Sequence, residues 1–237
     1  LKVVKADAET GKRIPLAASF ELYDADGDLV TYTLHYPDEE VVSTWTTNER
    51  GELTLPMVLG EGCYFLKEVA APEGYVLDSE PAAFSVSVDY RGWDDPIVLT
   101  FEDAPQKGTV TVSKTDSETG SPVDDSTYIV KAEGDVSTPD GTLRYADGQI
   151  VATLITSADG RATSEPLYLG TYTVYEAKAK DGYALDVAEK SVALTYQGQE
   201  VSVFGEQIDV TDAPTELQIA VSYTHLRAHE TLMNLVC

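Results

Sequence analysis

The chain has 237 residues, 43% of them hydrophobic and 9% aromatic, which is the make-up of a globular protein with room for two domains, each with its own core. A formal net charge of −25 argues against nucleic acid or an anionic membrane surface as partner, since phosphates would be repelled over most of the exterior. No run approaches the roughly 18 consecutive apolar residues of a membrane span, and two cysteines, Cys63 and Cys237, cannot make a disulfide framework for two domains.

Leu1 reads as mid-strand and nothing at the N-terminus reads as a signal peptide, so a fragment is expected. Short β-rich runs then follow one another, among them Phe20 to Tyr23, Val41 to Thr47 and Phe84 to Val88, separated by Asp, Gly, Asn and Pro clusters. No long segment carries a helical period, and the spacing predicts an all-β sandwich with Greek-key or similar connections. Asp24 to Asp28 resembles the opening of a calcium loop, but its twelfth position is His35 where a bidentate glutamate belongs, so a hairpin turn is expected. No metal or cofactor is called for.

The middle of the chain carries Tyr64 to Tyr75, Tyr-Phe-Leu-Lys-Glu-Val-Ala-Ala-Pro-Glu-Gly-Tyr. Alternate side chains of a strand share a face, so Glu68 points the same way as Tyr64 and Leu66, inward. The stretch returns as Tyr172 to Tyr183, where Glu176 shares its face with Tyr172 and Val174. The opening Lys-Ala-Asp-Ala-Glu-Thr-Gly from Lys5 returns from Lys114, a shift of 109 (114 − 5), and the closing Asp103-Ala-Pro returns at Asp212, again a shift of 109 (212 − 103). Start, middle and end recur in order, which makes two tandem copies of one domain, 1–105 and 106–214, meeting near Pro105 to Gly108.

Residues 215–220 read as the opening strand of a truncated third copy. Beyond them, Val221 to Thr231 back-translates letter for letter into a transposase-type sequencing adapter, and Leu235 to Cys237 fits the stretch that follows the index of the same adapter. Residues 221–237 are therefore excluded from the fold as an artefact without regular structure, which removes His225, His229 and Cys237 from any chemistry.

Parity places three charged residues per copy on the apolar side. Lys5 shares its face with Val3, Lys114 with Val110 and Val112, Asp103 with Leu99 and Phe101, and Asp212 with Ile208 and Val210. With Glu68 and Glu176, each domain appears as the owner of one inward Lys, one Asp and one Glu. One reading is a buried ion triad, or charges that reach the rim. The other is covalent: desolvation lowers the pKa of a buried lysine and raises that of a buried aspartate, so a neutral amine can attack a protonated carboxyl while the glutamate shuttles protons, giving an isopeptide amide.

The opening Lys-x-Asp with Thr-Gly following, the Tyr-x-Leu-x-Glu-x-x-Ala-Pro-x-Gly-Tyr box and the closing Asp-x-Pro resemble the Cna B-type, prealbumin-like (SpaA-like) domains of Gram-positive surface adhesins and pilins. The resemblance covers Leu1 to Pro214 and implies two tandem Ig-like, prealbumin-like β-sandwiches. It implies cross-links between Lys5 and Asp103 and between Lys114 and Asp212, with Glu68 and Glu176 as the catalytic residues. The second box departs from the pattern, having Ala177 to Lys180 where the first has Val69 to Pro72. Aspartate in place of the commoner asparagine means that water, not ammonia, leaves.

The function expected on this basis is a rigid stalk segment of a cell-wall-anchored, extracellular adhesin or pilus-like protein, whose partners are neighbouring repeats of its own chain. An alternative is a ligand-binding adhesin module for a host protein or glycan, for which Tyr90 to Trp93, Trp45 and the Tyr32/Tyr36 pair are the candidate surface aromatics. A turnover enzyme has little behind it, since sequence before the adapter holds one histidine, His35, and no nucleophile motif.

Overall fold

The computed structural model describes residues 1–215 apart from Tyr36 and Trp93. The third-copy strand beyond Thr215, the adapter-derived tail and those two aromatics thus lie outside the described residues. Every regular element among the described residues is a strand, and no helix is long and apolar enough to cross a membrane.

Each half of the chain makes two facing sheets. In the first half, one sheet has the order Glu52–Thr54, Lys2–Asp7, Val98–Asp103, and the other Thr44–Thr46, Ser19–Asp24, Gly62–Ala70, Ala82–Val86. Val3, Leu53 and Phe101 of one sheet meet Phe20, Leu22, Leu66 and Val86 of the other in a single core. The second half repeats the plan: Lys107–Asp116 pairs with Arg161–Thr163, Leu167–Tyr168 and Val203–Asp212, opposite Ile150–Ile155, Thr127–Ala132, Gly170–Lys178 and Lys190–Leu194. Its core is closed by Val110, Val112, Tyr128, Val130, Tyr172, Val174 and Val210.

The first strand of the second half shows why these residues form strands. Lys107–Asp116 alternates half-buried and buried residues over its whole length, so one face is apolar and the other wet. Burying Val110 and Val112 stabilises the sheet by roughly 1.5 to 3 kcal/mol each. The same alternation carries Lys114 and Asp116 inward.

The first and last strands of each half lie side by side and parallel. Lys5 is in register with Phe101 and Asp7 with Asp103; Lys114 is in register with Val210 and Asp116 with Asp212. A parallel pair needs a long crossover, and here nearly the whole domain is that crossover. The expected strand from Val41 to Thr47 is interrupted at Ser43. Glu40–Val42 forms a hairpin with Tyr32–Leu34, and Thr44–Thr46 pairs with Ser19–Asp24. Asp24 to Asp28 forms a turn in which the Asp24 carboxylate accepts the Asp26 and Asp28 N–H groups and Gly27 takes φ 85°.

Candidate functional site

Each lysine is presented by a first strand whose backbone is held in place beside it. Lys5 N donates to Gly51 O at 2.8 Å and Lys114 N donates to Gly160 O at 2.7 Å. These two turn glycines have φ of 66° and 75°, and a Cβ at either would come within 2.4 Å of a backbone oxygen, Ile14 O or Lys114 O. No other residue fits so close an approach in that conformation.

In the first domain Lys5 Nζ stands 2.5 Å from Glu68 Oε2 and 2.5 Å from Asp103 Oδ1, with all three side chains fully buried. Lys5 and Asp103 come from adjacent strands of one sheet, and Glu68 reaches across from the other sheet, opposite Phe20. In the second domain Lys114 Nζ stands 2.5 Å from Asp212 Oδ1 and 3.0 Å from Glu176 Oε1. It also donates to the hydroxyl of Tyr128 at 2.8 Å. Tyr128 occupies the register position opposite Glu176 that Phe20 occupies opposite Glu68. Among the described residues neither oxygen of Asp103 or of Asp212 finds a hydrogen-bond donor in good geometry, so the close amine contact lies outside hydrogen-bond geometry.

Burial raises the Glu68 carboxyl to about 8; the Lys5 ammonium opposes that rise and the Asp103 carboxylate adds to it. Burial also raises Asp103 and Asp212, against the pull of Lys5 and Lys114. Two carboxyls around one amine in a dry interior cannot both hold a full charge cheaply, so one of them keeps a proton. A site that holds an amine against a carboxyl, with a second, protonated carboxyl beside both, has the parts for condensation.

The structure thus brings together Lys5, Glu68 and Asp103, and separately Lys114, Glu176 and Asp212. The sequence reading did not single out Tyr128, nor a second cluster where the domains meet. There the buried Asp7 accepts the Tyr75 hydroxyl at 3.0 Å and Arg144 Nη2 at 3.1 Å, while Glu9 meets Arg144 Nη1 at 2.9 Å and Lys107 Nζ at 2.7 Å. The signal for Asp7 was present, since it follows Lys5 by two residues and shares its inward parity. For Arg144 there was none.

The surface-aromatic candidates fare differently. Trp45 is a core residue, 5% exposed, because Thr44–Thr46 pairs with Ser19–Asp24 and turns the indole toward Phe20 and Leu66; it presents no platform. Tyr32 and Tyr90 are half-buried against the same core, and the Tyr90 hydroxyl accepts the Leu1 amine at 2.9 Å. Cys63 is exposed beside Ser85.

The sequence matches the family described as SpaA, prealbumin-like fold domain, over residues 1–94 and 108–207. No curated protein matches it. Among solved structures, the Bacillus anthracis TIE protein is similar at a TM-score of 0.57 and 22% identity over 89% of this chain and 33% of that one. The C-terminal fragment of the pilus adhesin SpaC from Lactobacillus rhamnosus GG matches at 0.44 and 16%, over 92% of this chain and 98% of that one. The shaft pilin spaA of the same organism matches at 0.35 and 16%, with the same coverages. The chain spans a third of the TIE protein's length.

Proposed function

The chain belongs to the family of SpaA prealbumin-like fold domains, and from that premise we propose that it is a tension-carrying stalk segment of a cell-wall-anchored, extracellular Gram-positive surface protein, each domain closed by a self-formed Lys–Asp isopeptide bond. The observation that carries the reading is the pair of buried amines, each 2.5 Å from an aspartate oxygen with a glutamate carboxyl beside it.

The step balances without a co-reactant. The neutral Lys5 Nζ attacks the Asp103 carboxyl carbon while the protonated Glu68 hydrogen-bonds the carboxyl oxygen. Glu68 then takes a proton from the nitrogen and returns one to the departing hydroxyl, so a C–N bond forms, a C–O bond breaks and water leaves. Lys114, Asp212 and Glu176 act alike in the second domain. The amide relieves the interior of its charges, which drives the reaction forward.

The placement of the bond suits a stalk. Tension entering at the start of the first strand crosses from Lys5 to Asp103 and leaves at Ala104, so the chain between them carries none of it. The same bypass runs from Lys114 to Asp212. By analogy with a disulfide closing a loop of that length, each bond would stabilise its domain by roughly 4 to 5 kcal/mol.

Intact mass under denaturing conditions tests the proposal. Two waters should be missing from the wild-type chain; Glu68→Ala should restore the first alone and Glu176→Ala the second alone. A wild-type chain at its full uncondensed mass would reduce both clusters to ion triads.

A further inference from the structure

The first domain ends in a seat that the second domain fills, and the second domain ends in the same seat. In the first, the Asp7 carboxylate accepts the Glu9 and Thr10 N–H groups at 2.8 and 2.9 Å, which shapes the turn. Arg144 of the second domain then enters between Asp7 and Glu9, the Tyr168 hydroxyl donates to Glu9 at 2.6 Å, and Thr10 donates to Asp140 at 2.8 Å. Pro139 packs over Gly74, 3.2 Å from where a Cβ would stand, and Tyr75 is fully buried.

In the second domain Asp116 accepts the Glu118 and Thr119 N–H groups, both at 2.8 Å, and the Tyr183 hydroxyl at 2.8 Å. The turn is the same, but nothing among the described residues sits on it. Among the described residues Glu118 and Thr119 are exposed, Tyr183 is only half-buried, and no atom lies within 4 Å of a Cβ placed on Gly182. The Thr119 and Glu118 N–H groups and the Tyr183 hydroxyl hold Asp116 below the usual carboxylate range, so it stays ionised.

The chain also leaves both seats in one geometry. Val76 N donates to Ala104 O and Gln106 N to Gly74 O; Ala184 N donates to Ala213 O and Thr215 N to Gly182 O. The Tyr75–Pro105 bridge recurs as Tyr183–Pro214. A domain beginning directly after Thr215 would be delivered to Asp116 as the second domain is delivered to Asp7.

We propose that Asp116, Glu118 and Tyr183 form a docking seat for a further domain of this class, gripped through an arginine on its hairpin equivalent to Leu143–Tyr145. The seat extends the stalk reading, though it does not depend on the cross-links. Three contacts do not carry over: Ser121 stands where Lys12 donates to Thr142, Glu216 stands in sequence where Lys107 pairs with Glu9, and Thr215 stands where Gln106 donates to the Gly198 and Val201 carbonyls and accepts from Gln197 N. The grip is therefore centred on the arginine.

The test is a three-domain chain made of residues 1–215 followed by a second copy of 107–215, examined by small-angle scattering and by limited proteolysis at the new junction. The expected result is a scattering profile in which the second junction repeats the first. Glu118→Ala, or alanine for the added copy's arginine, should loosen that junction and speed its cleavage several-fold. The arginine substitution lies outside the second domain, so misfolding of the seat cannot account for its effect. A profile that fits a freely jointed second junction, or one that both substitutions leave unchanged, would overturn the proposal. Intact mass of the same chain reads the cross-links separately: a full uncondensed mass with a fixed junction would sink the clamp and spare the seat.

Discussion

The two clusters contain the same three residue types, yet the hydrogen-bond partners around them differ. Glu68 sits in a dry pocket with Oε1 unpartnered and Phe20 as its cross-strand neighbour, and its carboxyl is raised to about 8. Glu176 uses both oxygens, one for Lys114 and one for the Asp186 N–H at 2.9 Å, and Tyr128 adds a hydroxyl against the amine. Donors to a carboxylate favour its charged form, and an acceptor for an ammonium favours the ammonium. The first site thus offers fewer hydrogen-bond partners to its glutamate and its amine than the second. Chemistry that requires a free amine and a protonated glutamate should run faster in the first.

The largest effect that can break this comparison comes from deleting the clamp. Lys5→Ala or Asp103→Ala should cost the first domain roughly 4 to 5 kcal/mol and restore one water to the mass, and Lys114→Ala should do the same to the second. Calorimetry with intact mass reads both at once. Equal melting of clamped and unclamped domains would show that the bond contributes nothing to stability.

The next effect is on rate. Tyr128→Phe should speed condensation in the second domain roughly tenfold, and Phe20→Tyr should slow it in the first by a similar factor, because a hydrogen bond to a charged group contributes about 1.5 kcal/mol or more. The time course of water loss after cell-free synthesis measures it. Opposite signs, or no change in either variant, would remove the hydroxyl from the account.

A smaller change should follow pH. With its carboxyl raised from 4.5 to about 8, Glu68 holds its proton in the folded state below about 8 and loses it above. Condensation in the first domain should therefore slow as pH rises through about 8. The sign for stability agrees: between 4.5 and about 8 the folded state binds more protons than the unfolded one, so the uncondensed domain loses stability across that window as pH rises. A rate that climbs steadily through pH 9 would mean that deprotonation of the amine, not of Glu68, limits the step.

The smallest effect expected is at the junction. Arg144→Ala should leave both clusters intact and lower stability by about 1 to 3 kcal/mol, since Asp7 is buried and keeps only Tyr75 and the turn N–H groups as partners. Separation of one unfolding transition into two would be its calorimetric sign.

Much of this arrangement was legible in the chain itself. Side chains in a strand alternate, so counting by twos from Val3, Leu66 and Phe101 reaches Lys5, Glu68 and Asp103 without knowledge of which strands are neighbours. The same count misplaced nothing in the second copy, because Lys107–Asp116 keeps its alternation unbroken. Trp45 shows the limit. An indole in a short polar run reads equally as platform or core, and only the pairing of Thr44–Thr46 with Ser19–Asp24 decides which face it takes.

The sequence by itself determined the repeat, the all-β class and the inward parity of six charged residues, because each follows from local periodicity or from self-similarity. Only the tertiary structure decided that the first and last strands run side by side and parallel, that the glutamate arrives from the opposite sheet, and that Asp7 meets Arg144 across 137 positions of chain. Parity tells a side chain which way to point and says nothing of what it will face. Which strands become neighbours is settled by the global packing of two apolar faces, and the distances that make an amine and a carboxyl react exist only once that packing is complete.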